Sequence, residues 1–254
     1  MEVIESCFTH PLGPGMPGPC TGARRIAAAV CPHAGYMASG MNAAHSFKAI
    51  AEDGLPEAYV IIGPAHNGVP YDAVMCGEEY LTPLGACKVH EGIASGLREH
   101  VPDDARAHKR EHSIEVQVPF IQFIDKAPRI VPVIMGRQDL ASARKLAGHV
   151  RVACEGHDVV IIASSDMAHY IPKEVATQLN AAVLDRLVAK DLDGMYAEIM
   201  GKRKSVCGYG PKAAALSATD PEKVEILKYS DSWDSLHYDR SAVVGYASAI
   251  MTRR

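Results

Sequence analysis

The stretch "RIAAAVCPHAG" (25–35) is a run of small and branched apolar residues that stops at a proline, a histidine and a glycine. A short apolar run without polar alternation, closed by such breakers, reads as a β-strand buried on both faces. The same grammar recurs in "AYVIIGPAHNG" (58–68) and "DVVIIASSDMAH" (158–169), and without a histidine in "RIVPVIMG" (129–136). "SAVVGYASAIM" (241–251) reads as a further strand and "DAVMCG" (72–77) as an edge strand. Amphipathic helical patterns lie between them, at 41–53, 113–124, 138–156 and 173–200, the last predicted to break near Asp193–Gly194. Strands alternating with helices predict an α/β fold, a three-layer sandwich around a largely parallel or mixed central sheet. One domain over 1–254 is expected. Residues 1–24 are expected to form an irregular arm, because 8–22, "FTHPLGPGMPGPCTG", is dense in proline and glycine.

Composition narrows the function classes. Of 254 residues, 48% are hydrophobic and 22% charged, which is the balance of a globular chain rather than a disordered one. A formal net charge of −4 gives no basic surface for nucleic acid. No run of 18 apolar residues is present, and the first residues lack the basic and apolar regions of a signal peptide, so a cytoplasmic protein is expected. The seven cysteines are odd in number and include no C-x-x-C pair, which argues against a disulfide framework or a zinc ribbon.

In open α/β sheets, ligands bind beyond the carboxyl ends of the strands. His33 follows the first strand, His66 the second, and Asp166 and His169 follow "VVIIASS". Titratable groups at three strand exits point to one converging site, with Gly35, Gly63 and Gly68 allowing sharp turns or close backbone approach. In "EHSIEVQVPF" (111–120), His112 and Glu115 are spaced to share a helix face and to meet a metal or substrate. The same spacing also suits a plain helix start, with Glu111 serving the dipole and Glu115 in solvent. Cys207, in "SVCGYGP" (205–211), precedes a helical pattern, a position that lowers a thiol pKa; it reads as a ligand, a nucleophile or an inert buried thiol.

Neutral imidazoles and a thiolate suit iron, copper or zinc. His33, His66 and Cys207 would leave open positions on such a metal, with His169 and Asp166 serving as acid/base. Two rivals need no metal. One is a thiol hydrolase in which Cys207 is the nucleophile, His169 its base and Asp166 the orienting group. The other is a non-catalytic module that holds a peptide or an anion. A serine triad is excluded: Ser164, Ser165, Asp166 and His169 are too close in sequence, and no G-x-S-x-G elbow exists.

"PHAGYMASG", "IIGPAHNG", "EHSIEVQVPF", "IIASSDMAHY", "CGYGP" and "VVGYASAI" occur in this order, and together they resemble the successive motifs of the Memo family, in a microbial, archaeal-type wording. That family is related in structure to the class III (LigB-type) extradiol dioxygenases, where two histidines and a glutamate hold Fe(II) and a further histidine is the acid/base. The resemblance implies a single α/β domain with a dioxygenase-like pocket at the sheet edge. It implies His33 and His66 as metal ligands, Cys207 in the glutamate's place and His169 as the acid/base. Asp166 would be the motif aspartate and His112 a pocket residue. Iron or copper and redox chemistry are the associations it carries. The cysteine departs from the dioxygenase pattern, because a thiolate changes the metal's electronics and is itself oxidisable. The arm "FTHPLGPG" departs too, lacking an aromatic-rich opening.

Overall fold

A computed structural model describes residues 1–201 and 205–253. In chain order the elements are α1 (Glu2–Thr9), β1 (Ile26–Cys31), α2 (Met41–Asp53), β2 (Ala58–Pro64), β3 (Ala73–Met75), β4 (Tyr80–Thr82), β5 (Gly85–Val89) and α3 (Glu91–Arg98). Next come α4 (Ala105–His108), α5 (His112–Glu115), α6 (Val118–Ile124), β6 (Arg129–Met135), α7 (Leu140–Ala153), β7 (Val159–Ser164) and β8 (His169–Ile171). The chain closes with α8 (Lys173–Val188), α9 (Leu192–Gly201), α10 (Tyr209–Thr219), β9 (Lys223–Asp231), α11 (Ser232–Leu236) and β10 (Val243–Thr252). Among the described residues, no helix is long and apolar enough to cross a membrane.

The strands form one mixed sheet in the order β4-β5-β6-β2-β7-β1-β10-β8, with β3 on β6 and β9 on β10. Its centre is parallel: β6, β2, β7 and β1 run the same way. β10 joins β1 antiparallel and carries β9 and β8, also antiparallel. Each central strand feeds both faces. Ala28, Val30, Val60, Ile62, Ile161 and Ala163 enter one apolar cluster, which α3 and α7 to α10 cover. Ala29, Cys31, Tyr59, Ile61, Val160 and Ile162 enter another, under α1, α2, α5 and α6. Alternate residues of a strand point to opposite faces, so two covered faces demand the unbroken apolar runs seen in the sequence. The expected three-layer α/β architecture is the one observed.

Local expectations needed correction in three places. Residues 2–9 of the expected irregular arm are helical, with Ile4, Cys7 and Phe8 buried at helical spacing. Phe8 stacks on Phe123 at 5.0 Å, and this packing holds the helix despite the breakers that follow. The helical pattern at 113–124 splits into α5 and α6, with Pro119 in the first turn of α6, where its missing N–H costs nothing. The break in 173–200 falls before Leu192 rather than at Gly194: Lys190 is left-handed (φ 58°), and the Asp191 carboxylate accepts the Gly194 N–H at 2.8 Å.

Candidate metal centre

Because β1, β2 and β7 are parallel neighbours, the loops leaving their carboxyl ends meet. The β1 loop is pinned to the β7 loop by two hydrogen bonds: Ser165 N–H donates to the Cys31 carbonyl (2.9 Å) and His33 N–H to Asp166 Oδ1 (2.8 Å). A π-helical turn (Tyr36–Gly40) then carries the chain away, with Ser39 Oγ donating to the Ala34 carbonyl. From β2, Gly63 lets α5 close in; a Cβ there would stand 2.3 Å from Ser113 Oγ. Gly68 turns the following loop at φ 65°. Gly35 needs no glycine: nothing lies within 4 Å of its Cβ position, and its φ is −53°.

His33, His66 and His112 converge, with one ligand atom from each within 4.8 Å of the other two. Their ring centroids are 5.1 Å (His33–His66), 5.3 Å (His33–His112) and 4.4 Å (His66–His112) apart. His33 also belongs to a second group, with Asp166 and Cys207. Cys207 Sγ lies 3.2 Å from His33 Nε2 and accepts the Asp166 N–H at 3.2 Å. His112 thus stands third beside His33 and His66, and Cys207 joins from His33.

Hydrogen bonds decide which imidazole nitrogen is free. Ser164 Oγ donates its single hydrogen to the Ser113 carbonyl (2.6 Å) and accepts from Gln117 Nε2 (2.9 Å). Its remaining lone pair can only accept from His33 Nδ1, 2.8 Å away. His33 therefore carries its proton on Nδ1 and leaves Nε2 bare. His66 Nδ1 donates to Glu111 Oε1 (2.8 Å), while its backbone N–H donates to Oε2 (2.6 Å), so the neutral form of this ring has its lone pair on Nε2. A carboxylate holding the outer nitrogen of a histidine is the usual support for a metal-ligating imidazole.

The electrostatics agree. Burial pushes His33 down to about 4, and the neighbouring His66 and His112 push the same way against Asp166, so the ring is neutral at pH 7. Burial would raise the Glu111 carboxyl, but the hydrogen bonds from His66 and from Ser113 N–H outweigh it and hold the group at about 2. The Cys207 thiol departs from expectation. It does precede α10, yet burial, with Asp166 beside it, pushes it up to about 12. Desolvation of the thiolate outweighs the helix dipole here.

Four site residues escaped the sequence reading. Ser164 and Gln117 order His33, and Glu111, rather than the exposed Glu115, serves the cluster. Lys212 is wholly buried in α10, donates to Ser165 Oγ (2.6 Å) and is pushed down by burial to about 8. A buried serine, glutamine or lysine has no local sequence signal; only a lysine in an otherwise apolar helix, "KAAALSA", was there to be noticed. His169, at the start of β8, is half-buried, and its Nδ1 donates to the Ser205 carbonyl (2.5 Å). Among the described residues, the Asp166 carboxylate accepts the His33 backbone N–H and lies within 4.8 Å of a His33 ring nitrogen and of Cys207 Sγ, rather than pairing with His169.

The donor set fits a metal ion of borderline softness. Two imidazoles have their outer nitrogens held by acceptors, a third is adjacent and a sulfur is within reach. Zn–N bonds of about 2.1 Å would place ligand nitrogens roughly 3.4 Å apart in a tetrahedron, a separation inside the 4.8 Å limit within which the imidazole nitrogens gather. Glu57, His90 and His157 form a comparable group at the opposite sheet edge, but its tautomers exclude it. His90 Nδ1 accepts the Ile93 N–H as the cap of α3, so its Nε2 carries the proton given to Glu57 and has no lone pair for a metal.

A sequence profile of the Memo-like protein family matches residues 1–250. A MEMO1 family protein of Methanopyrus kandleri is 40% identical over 267 aligned positions, covering 99% of this chain and 93% of its own. Another, from Methanothermobacter thermautotrophicus, is 40% identical and covers 96% and 91%. In structure, the fold is similar to the crystal structure of an uncharacterized protein from Escherichia coli K12, with a TM-score of 0.61 at 14% identity over 89% of this chain and 100% of that one.

Proposed function

The chain belongs to the Memo-like protein family, and on that premise we propose that its imidazole cluster binds iron or copper in an oxidoreductase-like pocket at the carboxyl edge of the sheet. Zinc satisfies the same donors. One observation carries this reading: the outer nitrogens of His33 and His66 are both held by built-in acceptors, Ser164 and Glu111, which turns the inner nitrogens to metal binding beside His112, with the Cys207 thiol against that of His33.

A redox metal held there would supply electron exchange and polarisation of a coordinated oxygen. The chain's residues do the rest. His33 and His66 bind, and Cys207, protonated and in contact with His33 Nε2, is the sulfur available as a further ligand once its proton is displaced. Asp166 fixes the His33 loop by accepting its backbone N–H. His169, its Nδ1–H given to the Ser205 carbonyl, is oriented to exchange a substrate proton at Nε2.

The test is metal content after anaerobic, tag-free purification. Near one equivalent of iron or copper is expected, lost in His33→Ala and in His66→Ala. Full occupancy in both variants overturns the site, whereas zinc alone in every preparation leaves the site and removes the redox part.

A further inference from the structure

A cavity of about 400 Å³ lies between α7, the loop after α3 and the connection from β2 to β3, and shares no residue with the imidazole cluster. Its volume is that of a small-ligand site. Helix α7 lines it with Ser142, Lys145, Leu146 and His149, whose spacing places them on one helix face. His100 stacks on His149, ring centroids 4.5 Å apart and planes 20° from parallel. Pro70, Val101 and Pro102 give the cavity an apolar wall.

His149 Nε2 is buried with no hydrogen-bond partner among the described residues. The His149 ring lines the cavity while this nitrogen is left unsatisfied behind it, so no hydrogen bond of the protein fixes the ring at the wall. The surroundings say which sign a ligand there carries. Burial lowers the His149 pKa, and the neighbouring His100 and Lys145 lower it further. Asp72 is the acidic residue of the lining, and it faces Arg137 at 3.9 Å. Two stacked imidazoles and an ammonium thus line the cavity, whose one acidic lining residue faces a cation of its own.

We propose that this cavity is a binding site for a small organic oxyanion, whose charged head is taken by Lys145 beside the stacked His100–His149 pair and whose carbon body rests on Leu146, Pro70 and Pro102. Carboxylate and phosphate heads share the chemistry that this arrangement recognises. Specificity for charge comes from Lys145, and specificity for size from the apolar side chains of the wall.

The experiment is a titration of the full-length protein with benzoate, phenyl phosphate and uncharged benzamide, read from the imidazole ¹H–¹⁵N resonances of His100 and His149. Saturable shifts with at least one anion and none with benzamide are expected. Lys145→Met, on an exposed position that leaves the fold intact, is expected to weaken the anion roughly tenfold, the scale of one charge-assisted contact. His149→Gln provides an independent second variant and is expected to weaken it as well. Response to one anion alone identifies the head group. Three outcomes overturn the proposal: no saturable shift up to about 10 mM, a fragment-level limit; an equal response to benzamide; or unchanged affinity in Lys145→Met.

Discussion

Cys207 Sγ sits 3.2 Å from His33 Nε2, although 174 residues separate them in the chain. With the His33 proton held on Nδ1 by Ser164, only the thiol can supply the hydrogen of this contact. Hydrogens thus run one way, from Cys207 through His33 and Ser164 to the Ser113 carbonyl. A thiol donating to a neutral imidazole, and pushed by burial to about 12, is a poor nucleophile at neutral pH. In metal-free protein, iodoacetamide at pH 7 is expected to label exposed Cys20 well before Cys207, as peptide mass mapping over time would record. Cys207 labelling first would restore the thiol-enzyme reading.

The residues behind the ligands should govern metal affinity. Glu111→Gln replaces the charged acceptor of His66 Nδ1–H, and Ser164→Ala removes the acceptor of His33 Nδ1–H. Each is expected to weaken zinc or iron binding about 10- to 100-fold. Competition with a chromophoric chelator measures this, and wild-type affinity in both variants would show that tautomer control is irrelevant to the site.

Two glycines beside the site make opposite predictions. Gly63→Ala drives a methyl group into Ser113 Oγ and should destabilise by about 1–3 kcal/mol, the range of local overpacking. It should also weaken metal binding, because the Ser113 carbonyl accepts the Ser164 hydroxyl. Gly35→Ala meets nothing within 4 Å at an ordinary φ and should change stability by less than about 0.5 kcal/mol. Urea unfolding of the pair provides the comparison.

Acid should destabilise the fold through His108. The ring is buried, with Nε2–H donating to the Val74 carbonyl (3.2 Å) and Nδ1 accepting from the Tyr80 hydroxyl (2.7 Å). Burial lowers its pKa from 6.5 to about 4. The unfolded chain therefore binds the proton first as pH falls. Stability is complete above about pH 6.5 and declines toward pH 4, by on the order of 3 kcal/mol. Unfolding free energies of wild type and His108→Gln across this window should show a smaller acid loss in the variant; parallel curves would assign the loss elsewhere.

The positions of the central strands were legible because burial on both faces leaves an unbroken apolar run. "AYVIIGP" (58–64) coincides with β2 to the residue. The edge pieces β4, β5 and β8 were not legible. They are short and half-exposed, and pairing with β5, β6 and β10 makes them strands. Helix α1 was hidden for a related reason: three apolar residues at helical spacing become a helix only once Phe8 has Phe120 and Phe123 to pack on.

For the candidate site, the sequence by itself determined that His33, His66 and the Asp166–His169 segment leave the same sheet edge, since parallel strands flanked by helices place their carboxyl ends together. It also determined the motif order that assigns the chain to its family. Only the tertiary structure decided that His112 is the third imidazole, that Glu111 and Ser164 hold the outer nitrogens, and that the Cys207 thiol stays protonated. The physical reason is range. Strand and helix periodicity is written in neighbouring residues, whereas tautomer and thiol pKa depend on burial and on partners brought together from distant parts of the chain.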